Sequence, residues 1–513
     1  MSSILSTIKR SFIALLPLCA VSTSFAEPWV DTSDIFLRES IEHLADINVI
    51  TTPTTTFPLM WSDIARDLKR TNAQLLDDNA LNAFYYVRHQ LQIAKQSHKR
   101  VEINGANQDS RYTSFGDSYR DSMNIQVHTS FMTDSFAVKF SPRYNNSPSD
   151  GDKVSYDESY AAVYLGNWVA SIGMQDRWWG PGWDTSLSLT NNARPMPALA
   201  LSRKSAEPFA IPFTEHQIPW TVTSFMGVMD DDRVVDDTLL WGFRLNFRPA
   251  QNWEIGVTRL AQWAGEGRPK GLDTFWNVLK GLDNCGGNGP SAEECAAGQE
   301  PGNQMAGYDI RWSTSLFEHP LALYFGAFAE DGDRKGGLSI LGEERYQGGI
   351  DTRLNVANRN WRVFLEWTDT YATCRDGNNG DGTSTIGDCY YEHHIYQTGM
   401  RYKGRTIGSL YENDTTSFVL GAISQVQNDI GYQLKLRWLE LNQDNNDKAP
   451  NNPLIGNTLT TVAEDMVELS GKVQYSYRNW RYTLGASYSK STFDSAIDDD
   501  TDINLYMNIE YNL

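Results

Sequence analysis

From about Lys99 to its last residue, the chain repeatedly alternates apolar and polar side chains with a period of two. That pattern restricts the folds open to it more than any other feature. The final stretch, "DINLYMNIEYNL", sets Ile503, Leu505, Met507, Ile509, Tyr511 and Leu513 on one side and Asn504, Tyr506, Asn508, Glu510 and Asn512 on the other. "GYQLKLRW" sets Tyr432, Leu434, Leu436 and Trp438 against Gln433, Lys435 and Arg437. "WRVFLEW" sets Trp361, Val363, Leu365 and Trp367 against Arg362, Phe364 and Glu366. Successive side chains of a strand point to opposite faces, so each stretch reads as a strand with one apolar and one polar face. A single strand of this kind fits any half-buried sheet. Roughly 17 to 19 of them, each about ten residues long and separated by polar turns, fit a closed all-β, antiparallel barrel that crosses a membrane. Trp241, Trp253, Trp312 and Trp361 at segment ends suit its interfacial aromatic girdles. The apolar faces would meet lipid, and the charged faces would line a hydrated lumen. No internal repeat of the kind a propeller requires is found.

The start of the chain agrees with export to such a membrane. Lys9 and Arg10, the apolar run "SFIALLPLCAV" and Ser24-Phe25-Ala26 have the layout of a secretory signal, so residues 1–26 are expected to be cleaved. Cys19 reads as a passenger, because Leu18 precedes it where a lipoprotein would carry a small residue. The run is too short to span a bilayer as a helix. A secreted soluble protein is the plainer alternative, but it leaves 16 Trp, 24 Tyr and 21 Phe interleaved with polar residues unexplained. The net charge of −20 argues against non-specific nucleic-acid binding.

Between the signal and the strands the period changes. Leu37, Ile41, Leu44 and Ala45 share a stripe at helical spacing, as do Trp61, Ile64 and Leu68, and then Leu81, Phe84, Val87, Leu91 and Ala94. "TTPTTTFP" separates the first two stripes. The organisation expected is a small helical unit over residues 27–98 and a barrel over 99–513. Cys285, Cys295, Cys374 and Cys389 fall in Gly/Asn/Asp-rich stretches as two local pairs, which in an exported chain predicts loop disulfides Cys285–Cys295 and Cys374–Cys389.

The stretch 175–195, "QDRWWGPGWDTSLSLTNNARP", fits neither pattern. Gly180-Pro181-Gly182 ends the strand before it. In a wide barrel, a segment leaving the wall there can fold into the lumen as a plug. Asp176, Arg177, Trp178, Trp179, Trp183, Asp184, Asn191, Asn192 and Arg194 also combine aromatic faces with carboxylate, amide and guanidinium groups. That mixture suits the apolar C–H face and the hydroxyl rim of a sugar. The same residues can instead hold the plug in place, and both readings stay open.

The longer run "GMQDRWWGPGWDTSLSLTNNARPMPALALSR" resembles the signature region of the capsule assembly Wzi family. The resemblance extends over the helical start and the C-terminal strands. It implies a barrel of 18 strands in the outer membrane of a Gram-negative bacterium, a periplasmic helical bundle at the N-terminus and long extracellular loops. It also implies a lectin-like, non-enzymatic protein that binds capsular or related surface polysaccharide and attaches it to the cell. Surface polysaccharide and outer-membrane lipid are the partners expected, with polysaccharide-export machinery a further candidate; a monomer is expected, without cofactor, metal or nucleic acid. The two cysteine-bearing insertions have no place in the family pattern. A porin-like channel for sugars or small solutes is the alternative function, and an outer-membrane hydrolase a second one.

Other constellations select no chemistry. Asp376, Asn378, Asn379, Asp381 and Asp388 resemble a calcium loop, but the spacing departs from an EF-hand by one residue and no Glu closes it, so a hydrated turn is expected. His393 and His394 in "YYEHHIYQ" would point to opposite faces of a wall strand and not share a metal. GxSxG, HExxH and a phosphate-cradling lysine loop are absent from the sequence. No carboxylate spacing singles out a glycosidase pair.

Overall fold

A computed structural model describes residues 27–96, 98–117, 119–210, 217–280, 302–316, 319–330, 343–372, 374–375, 385–386, 389–447, 449, 451–452, 454–494 and 497–513. Its strands close into one antiparallel barrel. The wall has 18 strands, because two of them are each interrupted once, at 141–142 and at 156–159. The seam is sealed by the first strand, His98–Ala106, pairing with the last, Asp500–Asn512. Connections at one end are short, such as 166–167, 251–252, 357–358 and 478–479, with 204–219 the long exception. At the other end they are long, including 107–122, 174–197, 370–415 and 442–463.

The alternation read from the sequence decides which face looks inward. Along Thr238–Ala250, Arg244, Asn246 and Arg248 are buried inside while Leu239, Trp241, Phe243, Leu245 and Phe247 look out. Gln433, Lys435 and Arg437 point inward, as do Arg362, Phe364 and Glu366. Trp253 stacks on Trp312 at 5.7 Å, and Trp480 lies 4.4 Å from Tyr511, forming a girdle at the short-turn rim. An apolar belt outside and a charged lining inside is the pattern of a wall with lipid on one face and polar contents on the other.

Three helices precede the wall: α1 (Ile35–Asp46), α2 (Trp61–Arg70) and α3 (Asp78–Ala94). Asp34 caps α1 by accepting from the Phe36 and Leu37 N–H groups, and Asp77 caps α3 through the Ala80 N–H. The expected apolar stripes are buried, with Ile41, Leu44, Ile64 and Val87 fully inaccessible. The expectation of a bundle lying wholly outside the barrel needs correction. Every residue from Ile35 to Ala45 is buried, including Arg38, Glu39, Glu42 and His43. Helix α1 enters the lumen from the short-turn end, where its polar face meets charged wall residues. Asp46 pairs with Arg311 at 2.6 Å and Arg362 at 3.1 Å, and Glu39 with Arg353 at 2.6 Å. The Arg248 guanidinium donates to the Ile50 carbonyl at 2.9 Å and fixes the chain after the helix.

The expectation for His393 and His394 also changes. They belong to the long connection 370–415, which folds inward, and not to the wall. Their rings lie 4.5 Å apart, and His393 Nδ1 accepts from the Ile395 and Tyr396 N–H groups. Among the described residues, no three His, Cys, Asp or Glu side chains converge as a metal site would require. Residues 374–375 pair with 385–386 as a short hairpin, and Cys389 is disulfide-bonded. The Cys374 side chain, Cys285, Cys295, the calcium-like run from Asp376 to Asp381 with Asp388, and the signal segment 1–26 lie outside the described residues.

Candidate functional site

Residues 174–197 leave the wall after Gly173, cross the lumen and return at Ala198. Two glycines allow the crossing. Gly180 has φ +137°, and a Cβ there would sit 2.8 Å from Ser186 Oγ. At Gly182 a Cβ would overlap the Thr185 carbonyl and the Gln347 amide. In mid-lumen, Trp178 and Trp179 pair with Phe57 and Thr56 as a two-residue antiparallel ladder. A segment arriving from the long-loop end is thereby joined to one arriving from the short-turn end.

Most of the sequence-predicted site residues are interior. Trp178, Trp183 and Asp184 are 0% exposed, and Trp179, Asn191 and Asn192 are nearly so. Trp178 packs edge-on against Phe115 at 5.5 Å, and Trp183 stacks on Phe364 at 6.2 Å. Between them sits the Arg38 guanidinium of α1, 4.4 Å from the Trp183 ring and 4.8 Å from Phe115. It donates to the Gly182 carbonyl at 2.8 Å and, through Nε, to Glu42 Oε1 at 3.0 Å. A planar cation suits this aromatic box because its faces meet π-clouds while its edges keep hydrogen bonds.

The wall holds the plug with opposite charges. Glu366 accepts from the backbone N–H groups of Trp183 at 2.6 Å and Thr185 at 3.0 Å, and from the Tyr324 hydroxyl at 2.9 Å. The Asp184 carboxylate receives Lys435 Nζ at 2.7 Å, Arg437 Nη2 at 2.8 Å and the Tyr411 hydroxyl. Burial alone would push the Asp184 carboxyl up, but the adjacent Arg437 and Lys435 cations hold it well below the usual carboxylate range. Asn192 accepts from the Thr113 N–H at 3.1 Å and donates to the Thr406 carbonyl at 3.3 Å. The Arg120 guanidinium reaches the Asn191 carbonyl at 2.5 Å, and Arg194 pairs with Asp157 at 3.0 Å and with Asp150. The plug thus comprises three loop stretches, near 107–121, 174–197 and 389–415, together with α1.

Asp176 and Arg177 are less enclosed. Arg177 lies over the Phe225 ring at 4.2 Å and donates to the Gln175 carbonyl at 3.0 Å. Burial pushes the Asp176 carboxyl up to about 7, and Arg120, 3.9 Å away, pulls it only part of the way back. A carboxyl raised in this way favours the folded state fully below its unfolded value. That contribution is lost as pH rises through about 7. The parent should therefore lose thermal stability between about pH 5.5 and about pH 8, and Asp176→Asn should lessen that loss. An unchanged pH dependence would show that Asp176 does not titrate there.

A cleft between the 107–121 connection and the wall has a volume of about 90 Å³. Tyr119 and Tyr506 line it, with rings 4.5 Å apart. Tyr112 donates to Glu468 at 2.7 Å, and Lys472 pairs with Asp117 at 3.1 Å. Gln433 Nε2 and Asn504 Oδ1 on its lining are buried and have no hydrogen-bond partner within the protein. The period-two pattern sets Tyr506 and Asn504 on the polar face, but nothing in the sequence ties them to a loop some 390 residues earlier.

A family model described as capsule assembly protein Wzi matches residues 92–504. A 55.8 kDa protein in the cps region of Klebsiella pneumoniae, itself uncharacterised, is 26% identical over 302 residues, which is 58% of each chain. The match thus spans less than two thirds of that relative's length. Among solved structures, Wzi of Escherichia coli superimposes with a TM-score of 0.76 at 20% identity, over 95% of this chain and 99% of that one. That protein is described as an outer-membrane protein involved in group 1 capsule assembly and as a carbohydrate-binding β-barrel. The likeness shows that the fold is that of an outer-membrane barrel.

Proposed function

This chain belongs to the capsule assembly Wzi family, and from that premise we propose that it binds surface polysaccharide and holds it at the cell. It acts as a non-catalytic outer-membrane lectin. The observation that carries the reading is the family match across residues 92–504. The filled lumen supports it against a porin-like channel, because charged and aromatic plug side chains occupy the space that solutes would need. Helices α2 and α3 face the periplasm and the long loops face outward.

Since Trp178, Trp183, Asp184, Asn191 and Asn192 are buried, they position the binding surface without forming it. The glycan meets the long-loop face, where the cleft beside Tyr119 offers aromatic surface, the cations Arg111, Lys435, Arg437 and Lys472, and the unpartnered amide atoms Gln433 Nε2 and Asn504 Oδ1. Amide and hydroxyl pairs with an aromatic platform are the groups that recognise a sugar ring.

Cells lacking the protein should make polysaccharide in normal amount yet release most of it to the medium. Assaying cell-bound against free polysaccharide checks this. Retention equal to the parent's would remove the anchoring function. In a strain carrying Tyr119→Leu, release should rise several-fold while the barrel remains folded; parental retention would move the binding surface to other loops.

A further inference from the structure

Among the described helices, one packs against the outer face of the wall at the long-loop end. Helix α4 (Leu272–Lys280) follows the strand Trp253–Trp263 at its long-loop end. One side of it is packed on the outer wall. Val278 is fully buried, and Phe275 lies 5.0 Å from Trp263 and 5.9 Å from Trp241. Trp263 pairs with Leu239, and Trp241 with Ala261, so these are the outward rungs nearest the long-loop rim. Below them the outer face continues as Phe243 and Val257, part of the lipid-facing belt.

The helix is clamped by a charge in an unusual place. Arg259 shares the face of Val257, Ala261 and Trp263 at i, i+2 spacing and so faces outward from the wall. Its guanidinium donates to the Leu279 carbonyl at 2.8 Å and the Val278 carbonyl at 2.7 Å, and to Gln304. A cation on the outer face of a barrel needs such partners where lipid replaces water, and the last carbonyls of a helix supply them.

Among the described residues, none covers the opposite side of α4. Leu272 is 85% exposed and Trp276 59% exposed, and they lie four residues apart on one helical face. Lys280 continues that face, with Nζ 5.9 Å from the Trp276 ring. We propose that α4 is an interfacial helix. It seats Leu272 and Trp276 in the outer leaflet and places Lys280 among the anionic, phosphate-bearing head groups above. Three observations select a lipid surface as the occupant. The bare face adjoins the lipid-facing belt, it lies at the level of the rim tryptophans, and its apolar pair is bordered by a cation. A tryptophan with one end apolar and an indole N–H at the other suits that boundary.

The test uses the full-length protein in liposomes of phosphatidylcholine and phosphatidylglycerol, with and without lipid brominated on its acyl chains. Trp276→Phe isolates the Trp276 signal as the difference between parent and variant emission. That component should be quenched at least twofold by brominated lipid and be poorly quenched by aqueous acrylamide. Quenching by acrylamide with no effect of brominated lipid would overturn the proposal. A second variant, Trp276→Cys carrying a nitroxide, reads depth directly. Oxygen should collide with it more often than a water-soluble nickel chelate does. Spin–spin broadening that disappears on dilution with unlabelled protein would instead make the face a contact between copies and refute a lipid seat.

Discussion

Replacing Asp184 by alanine should lower the stability of the folded barrel by about 3–5 kcal/mol, the range for breaking a buried ion pair from one side. The loss comes from what remains behind. Lys435 and Arg437 would be left in the interior without their shared anion, and the Tyr411 hydroxyl without its acceptor. Asp184→Asn should cost less, since the amide oxygen still accepts one donor. The effect has a defined pH dependence. The folded-state value of this carboxyl is held down by Arg437 and Lys435 against the opposing pull of burial. Its stabilisation is therefore fully present above the unfolded value of about 4 and fades as pH falls below it. Unfolding in denaturant, followed by tryptophan emission at about pH 7 and about pH 3, measures both. A variant as stable as the parent at neutral pH would remove Asp184 from its structural role.

In planar bilayers the intact protein should carry almost no ionic current, and replacing residues 178–192 by a short Gly/Ser linker should raise conductance by an order of magnitude or more. A wall of 18 strands encloses a space far wider than hydrated ions. Its closure depends on contents such as the aromatic box around Arg38 and the Glu366 and Asp184 attachments. Trp183→Ala is the gentler version, costing about 3–5 kcal/mol by loss of buried ring contacts and producing intermittent openings. A large steady current through the intact protein would contradict a filled lumen and return the porin reading.

The wall was legible in the sequence because period two is a property of the strand itself. Leu434, Lys435, Leu436 and Arg437 disclose their faces without reference to any neighbour. The stretch 175–195 was legible as an exception because its glycines, charges and tryptophans suit neither wall nor solvent, while plug and sugar site both stayed open. Helix α1 was half legible. Ile41 and Leu44 revealed a buried stripe, but by spacing Arg38, Glu39 and Glu42 fall on the polar side of the helix, which is ordinarily solvated. A polar lumen reverses that inference, since a charged helix face can be buried against charged walls. "YYEHHIYQ" misled for a related reason. Its β-forming residues suit a strand, yet Tyr390 and Tyr391 are buried inside the barrel as loop residues. Pairings such as Glu366 with Trp183 and Thr185 link distant stretches, and no local period encodes them.

The two-residue ladder between Trp178–Trp179 and Thr56–Phe57 has a mechanical meaning. A surface polymer in flow pulls on its anchor at one rim only. In a hollow cylinder, that pull would fall on a few loops and the strand ends beneath them. In the proposed anchoring role the tension would pass inward along the plug, across the ladder and the Arg38 clamp, to helix α1, whose charges grip the wall near the far rim through Arg311, Arg353 and Arg362. The load is shared between both ends of the cylinder, as in a bolt with a nut on the inner side of the plate.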